Sequence, residues 1–171
     1  SVGFVMINRN ITKEKQIANA LQEAEIQYQT LFENTREAII AADSEGRFTL
    51  ANPAAARILG YESPADMIGK RSRDAYADPE THNTLFAQFQ TCNFLENQEI
   101  ALKKQGQTDQ LVYVLASTTL HRDSAGEFLR AETMFSDITE RKQAELDLQK
   151  QTEFLQTIVD NVPALLDIYE D

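Results

Sequence analysis

The chain has no tryptophan, a single cysteine, four prolines and six glycines among 171 residues. The single cysteine, Cys92, excludes an intramolecular disulfide framework and fits a reducing compartment. With no second cysteine to resolve it, the thiol reads as buried or incidental rather than as a redox sensor. Basic residues are in deficit, 16 against 27 acidic ones, for a formal charge of −11. That balance argues against nucleic-acid or anionic-membrane partners, which need basic patches. No run approaches the roughly 20 apolar residues of a membrane span. Val2 to Ile7 is too short, and lacks the basic start, for a secretory signal. The segment is expected to be soluble and cytoplasmic with no membrane contact of its own, in a parent protein that is free to be anchored elsewhere.

The scarcity of helix breakers leaves two long stretches intact, with no glycine or proline between Gly3 and Gly46 or between Gly126 and Pro163. In the first, Ile17, Leu21, Ala24, Tyr28 and Leu31 step by four and three, which is the spacing of a heptad seam. In the second, Ala144, Leu148, Leu155 and Ile158 keep that register with Gln151 as one polar interruption. A helix over 12–34 would extend roughly 34 Å. Such a stripe either lies on its own domain or pairs with a second copy. Its narrowness favours self-association as a parallel homodimer.

The two stretches repeat each other. Ile11-Thr12-Lys13-Glu14-Lys15-Gln16 returns 127 residues later as Ile138-Thr139-Glu140-Arg141-Lys142-Gln143, and Leu31-Phe32-Glu33-Asn34 returns as Ile158-Val159-Asp160-Asn161. The repeat predicts a slice through a tandem array. Residues 1–11 are read as the last strand of a preceding copy, 12–34 as a linker helix and 35–138 as a complete domain. Residues 139–160 are then a second linker helix and 161–171 the start of a following copy.

The domain between them alternates strands and helices. Ala38 to Ala42 and Arg47 to Ala51 flank the turn Asp43-Ser44-Glu45-Gly46. Asn52-Pro53 opens a helix that Gly60 closes, Pro64 to Gly69 forms a short second one, and Asp78-Pro79-Glu80 opens a third that runs to about Gln90. Phe94 to Lys103, Gln110 to Leu120 and Glu127 to Ser136 follow as a meander. The order β-β-α-α-α-β-β-β predicts an α+β fold, a five-stranded antiparallel sheet with helices on one face.

This order and its punctuation resemble the PAS domain of sensory and signalling proteins. Asp43-Ser44-Glu45-Gly46-Arg47 is similar to that family's first hairpin turn, and Ala51-Asn52-Pro53-Ala54-Ala55 to its first helix start. Leu59-Gly60-Tyr61 with Met67-Ile68-Gly69-Lys70 is similar to its next helical turns. Asp137-Ile138-Thr139-Glu140-Arg141-Lys142 is similar to its C-terminal Asp-Ile-Thr signature. The resemblance covers about residues 27–143, with the flanks resembling pieces of neighbouring PAS copies. In the N-terminal repeat Asn10 replaces the signature aspartate.

Asp137 stands at the end of a strand, three residues before Glu140, so its carboxylate can cap the following helix. Beyond capping, the resemblance implies that Asp137, Ile138 and Thr139 couple the sheet to the linker, with Asn10, Ile11 and Thr12 as the equivalent junction of the first copy. The family's haem sensors use a histidine on the long helix. His82 lies near that helix's start, and the position one turn on is Phe86, so no haem is expected. Cys92-Asn93-Phe94-Leu95 falls after the helix rather than in the flavin-attachment motif of the blue-light subclass, so no flavin is expected either. His121, beside a turn, reads as surface, and no cluster has metal-ligand spacing. Ile40, Asn52, Ile58, Phe86, Tyr113, Ser117 and Met134 are candidate walls of a pocket for an unidentified small ligand; the plainer alternative is that they fill the core.

No catalytic constellation is evident, so the expected function is a non-enzymatic signal relay within a multidomain bacterial protein. It would pass conformational changes to neighbouring PAS copies and a downstream output such as a sensor histidine kinase. The alternatives are a ligand- or cofactor-binding sensor, a PAS input to a cyclic-di-GMP enzyme, and a structural spacer.

Overall fold

The computed structural model describes residues 2–89 and 91–166. Five antiparallel strands form one sheet: β1 (Ala38–Asp43), β2 (Phe48–Ala51), β3 (Phe94–Lys104), β4 (Gln107–Arg122) and β5 (Phe128–Asp137), in the spatial order β2-β1-β5-β4-β3. Helices α2 (Pro53–Leu59) and α3 (Pro79–Gln88), with 3₁₀ turns at Pro64–Asp66 and Ser72–Ala75, fill the link between β2 and β3. Helices α1 (Val2–Asn34) and α4 (Thr139–Leu166) extend from the two ends. The α+β fold with flanking helices is the one expected.

Local chemistry explains the turns. Asp43 Oδ1 accepts the Glu45 and Arg47 amides, each at 2.9 Å, and so closes the β1–β2 hairpin. Asp78 caps α3 by accepting the Glu80 and Thr81 amides, which holds its carboxyl below the usual carboxylate range. Gly60 ends α2 at φ +79°, and a Cβ there would stand 3.0 Å from Lys104 Cγ and 3.3 Å from Gln105 O. Both the left-handed backbone and the close approach of β3 require glycine.

The core joins α2 to the inner face of the sheet, with alanines and larger apolar residues on both. Ala54 and Ala55 are fully buried, and Ala55 packs in one cluster with Phe48, Leu59, Met67, Val114 and Phe135. On β4 the inward residues are Val112, Val114, Ala116 and Leu120, all buried. Tyr113, Leu115 and Ser117 alternate with them and face the other side of the sheet.

The ends differ from the sequence expectation. Residues 2–11, read as a strand, are helical and continuous with the linker. An extended segment needs a ladder to satisfy its backbone. The edge strands β2 and β3 do not pair with these residues, whereas a helix satisfies its amides within the segment. Likewise α4 continues past Asp160 to Leu166, so residues 161–166, expected to open the next copy, prolong the helix. The rest of that segment, 167–171, lies outside the described residues.

Candidate functional site: a sheet-to-helix junction beside a cavity

Only Ile138 separates the end of β5 from the start of α4. The β4–β5 ladder ends at the pair Val114–Asp137. The next β4 residue, Tyr113, gives its backbone to the junction: its carbonyl accepts the Ile138 amide at 2.8 Å, and its amide donates to Thr139 Oγ1 at 3.0 Å. Asp137 Oδ1 accepts the Thr139 amide at 2.8 Å and the Thr139 hydroxyl. The strand ladder thus passes directly into the first helical turn. Among the described residues no bond returns from Glu140 to Asp137, so the aspartate caps without the reciprocal arm of a capping box.

A second clamp comes from β3. Glu99 accepts from Arg141 Nη2 at 2.7 Å and from Lys142 Nζ at 2.6 Å, each on its own carboxylate oxygen. The hydrogen bond from Lys142, reinforced by the two positive charges, holds the Glu99 carboxyl below the usual range. Glu99 in turn raises Lys142 above the usual lysine value, first through that bond and then through its charge. The group is open to solvent, so the clamp orients α4 more than it stabilises the fold. Glu99, Arg141 and Lys142 were not singled out as site residues from the sequence. No local spacing links positions 42 apart.

At the other end, Asn52 fastens α1. Its buried amide donates to Phe32 O at 3.1 Å and Glu37 O at 2.9 Å, and its oxygen accepts the Ile39 and Ala55 amides at 3.0 and 2.9 Å. One side chain ties the end of α1, the start of β1 and the cap of α2, with every polar atom paired. Asn10, Ile11 and Thr12, expected to form an equivalent junction, lie inside continuous α1, and their side chains are outside the described residues.

Between α3 and the inner sheet face lies a cavity of about 290 Å³. Of the expected walls, Ile40 and Phe86 line it. Asn52 is instead the latch just described, and Ile58 packs in the core. Tyr113, Ser117 and Met134 belong to the opposite sheet face, where Ser117 pairs with Met134 and Met134 is 48% exposed. Both faces of β4 carry apolar side chains, so alternation alone left the choice of inner face open, and the odd-numbered set was the wrong one. The cavity is lined instead by Ile100, Leu102, Val114, Ala116, Leu120 and Phe135 from the sheet.

His82 also lines the cavity, edge-on to Tyr76 at 5.0 Å and stacked on Phe86 at 6.2 Å between centroids. Burial raises the Tyr76 phenol above its usual value. The space is about twice the 150 Å³ cavity that accommodates benzene. Cys92 lies beyond α3, with its thiol 3.3 Å from Gln88 O. His121, expected at the surface, is half-exposed on the outer sheet face, 3.0 Å from Glu132. Among the described residues no group of three or more His, Cys, Asp or Glu is placed to hold a metal ion.

The stripes on the long helices are uncovered. Leu21 is 68% and Leu155 61% exposed, and Ile17, Ala24, Tyr28, Leu31, Ala144, Leu148 and Ile158 are exposed with them. Ile26, Phe154 and Val159 add apolar surface that the heptad reading did not include. The stripes therefore do not lie on their own domain. No helix among the described residues is long and apolar enough to cross a membrane.

The sequence matches the PAS fold family over residues 26–138. The signal transduction histidine-protein kinase AtoS of Escherichia coli (strain K12) is 25% identical over 129 residues, which is 75% of this chain and 21% of that protein. The chain thus spans about a fifth of the length of this relative. Among solved structures, a PAS domain from Colwellia psychrerythraea superposes with a TM-score of 0.59 at 16% identity, covering 68% of this chain and 98% of that one. A sensory box histidine kinase/response regulator from Burkholderia thailandensis E264 gives a TM-score of 0.60 at 17% identity over 77% of this chain and 98% of that one. With the five-stranded sheet, the Asn52-capped helix and the Asp137-Ile138-Thr139 junction in place, the chain belongs to the sensory PAS family.

Proposed function

We propose that this segment is the relay module of a multidomain bacterial signalling protein with a histidine kinase output, and that it works as a parallel dimer through α1 and α4. The observation that carries this reading is shared backbone. Ile100 of β3 and Val114 of β4 pair with each other and face the cavity. Their immediate neighbours Glu99 and Tyr113 hold the first turn of α4. A displacement of the cavity wall therefore moves the atoms that orient the helix. A two-state joint needs only a few kcal/mol of differential contact to switch. The exposed stripes on α1 and α4 supply the surface that a second copy would cover, and the similarity to AtoS supports a kinase output. The repeat across 127 residues supports flanking PAS copies as neighbours in the same chain.

Hydrogen exchange tests the joint. Glu99→Gln should speed exchange through residues 139–145 while leaving the amides of α2 and β1 unchanged. Equal rates along α4 in both proteins would sink the relay reading.

The cavity favours a second reading, a small-molecule sensor whose ligand sits against Ile100 and Val114. The two readings are compatible, since a bound ligand would bias the same joint. A passive spacer would show neither effect.

A further inference from the structure

We infer that the cavity takes a neutral, mainly apolar ligand about the size of two fused rings, with one hydrogen-bonding oxygen held by Thr118 and Thr133; this rests on the sensor reading above. The volume of about 290 Å³ is about twice that of a benzene-sized cavity, which sets the size. It also lies at the lower end of small-molecule sites, about 300 Å³. The walls on the sheet and α3 are mainly aliphatic and aromatic, with the His82 imidazole on α3 and one hydroxyl pair in the sheet: Thr118 Oγ1 lies 2.9 Å from Thr133 Oγ1. The pair uses one hydroxyl hydrogen between the two residues. The second hydrogen and the remaining lone pairs are left for a ligand oxygen.

Charge argues for neutrality. The charged lining groups Asp43, Glu45 and Arg73 stand together at the end formed by the β1–β2 turn and the Ser72–Ala75 turn. Glu45 and Arg73 are exposed there and already paired, with Arg47 and Asp74. An anion within the apolar part would be desolvated, and among the described lining residues the one arginine, Arg73, already pairs with Asp74, which leaves the His82 imidazole as the other basic group on the wall. α3 has no fully buried residue, and Phe86, which lines the cavity, is 47% exposed and edge-on to Phe128 at 6.5 Å between centroids.

The test is calorimetric titration of the whole chain with 2-naphthol, naphthalene and 2-naphthoate at neutral pH. The proposal expects one 2-naphthol per chain and at least tenfold weaker binding of 2-naphthoate. Thr133→Val, nearly isosteric and so expected to fold, should weaken 2-naphthol about tenfold and leave naphthalene unchanged. Equal binding of 2-naphthol and naphthalene, or no effect of Thr133→Val, would overturn the polar end while leaving a ligand cavity intact. Preference for 2-naphthoate would overturn neutrality. Binding of none of the three would overturn both this proposal and the sensor reading.

Discussion

Asn52 carries more of the architecture than any other single side chain, because four backbone groups from three segments depend on its amide. Asn52→Ala should lower unfolding stability by about 3 kcal/mol, since buried groups left unpaired cost about 1–3 kcal/mol each and some will regain water. A urea titration checks this, and a loss below about 1 kcal/mol would contradict the latch. Glu99 and Lys142 make a second, electrostatic prediction. The Glu99 carboxyl is depressed, so its contribution is present above the ordinary glutamate range and is lost as pH falls through the depressed value. The Lys142 ammonium is raised, so its contribution is present below the ordinary lysine value and is lost as pH rises through the raised one. NMR titration of the Glu99 side chain should show its pKa rising in Lys142→Met; an unchanged midpoint would remove the clamp. At this scale the sequence was partly legible. Capping by Asn52 and Asp137 follows from their place before helices, while the four-way bonding of Asn52 and the reach of Glu99 depend on contacts distant in sequence.

Helices and strands were read unequally well. Strand and helix order followed from turn chemistry, as at Asp43–Gly46 and Asn52–Pro53, where the residue type dictates the backbone. The inner face of β4 did not, because Leu111, Tyr113 and Leu115 are as apolar as Val112, Val114 and Ala116 and only packing against α2 and α3 distinguishes them. That ambiguity explains why Tyr113 and Ser117 were expected at the cavity. Residues 2–11 show the converse limit: a segment that resembles a strand takes helix where no ladder receives it. The α4 stripe makes a geometric prediction. One residue inserted after Lys150 turns Leu155 and Ile158 about 100° away from Ala144 and Leu148, whereas seven residues restore the face to within about 20°. Sedimentation should show dimers lost or weakened by the first insertion and retained with the second. Equal association in both would contradict pairing through this stripe.

The whole molecule is a PAS sheet with a helix fastened at each side by different means, a buried amide for α1 and a strand ladder plus ion pair for α4. The cavity lies behind the same strands that hold α4: Ile100 and Val114 line it, and their neighbours Glu99 and Tyr113 bond the first turn of the helix. Paired helices would place their axes about 10 Å apart. Spin labels at Gln22→Cys and, separately, Lys150→Cys, in a Cys92→Ser background, measure this directly as the distance between the two copies. The account predicts a short distance at both sites, as parallel helices require, and a shifted or broadened distribution at position 150 alone when Glu99→Gln is added. A chain with no distance between copies, or an unchanged distribution at position 150 in the Glu99 variant, would contradict it.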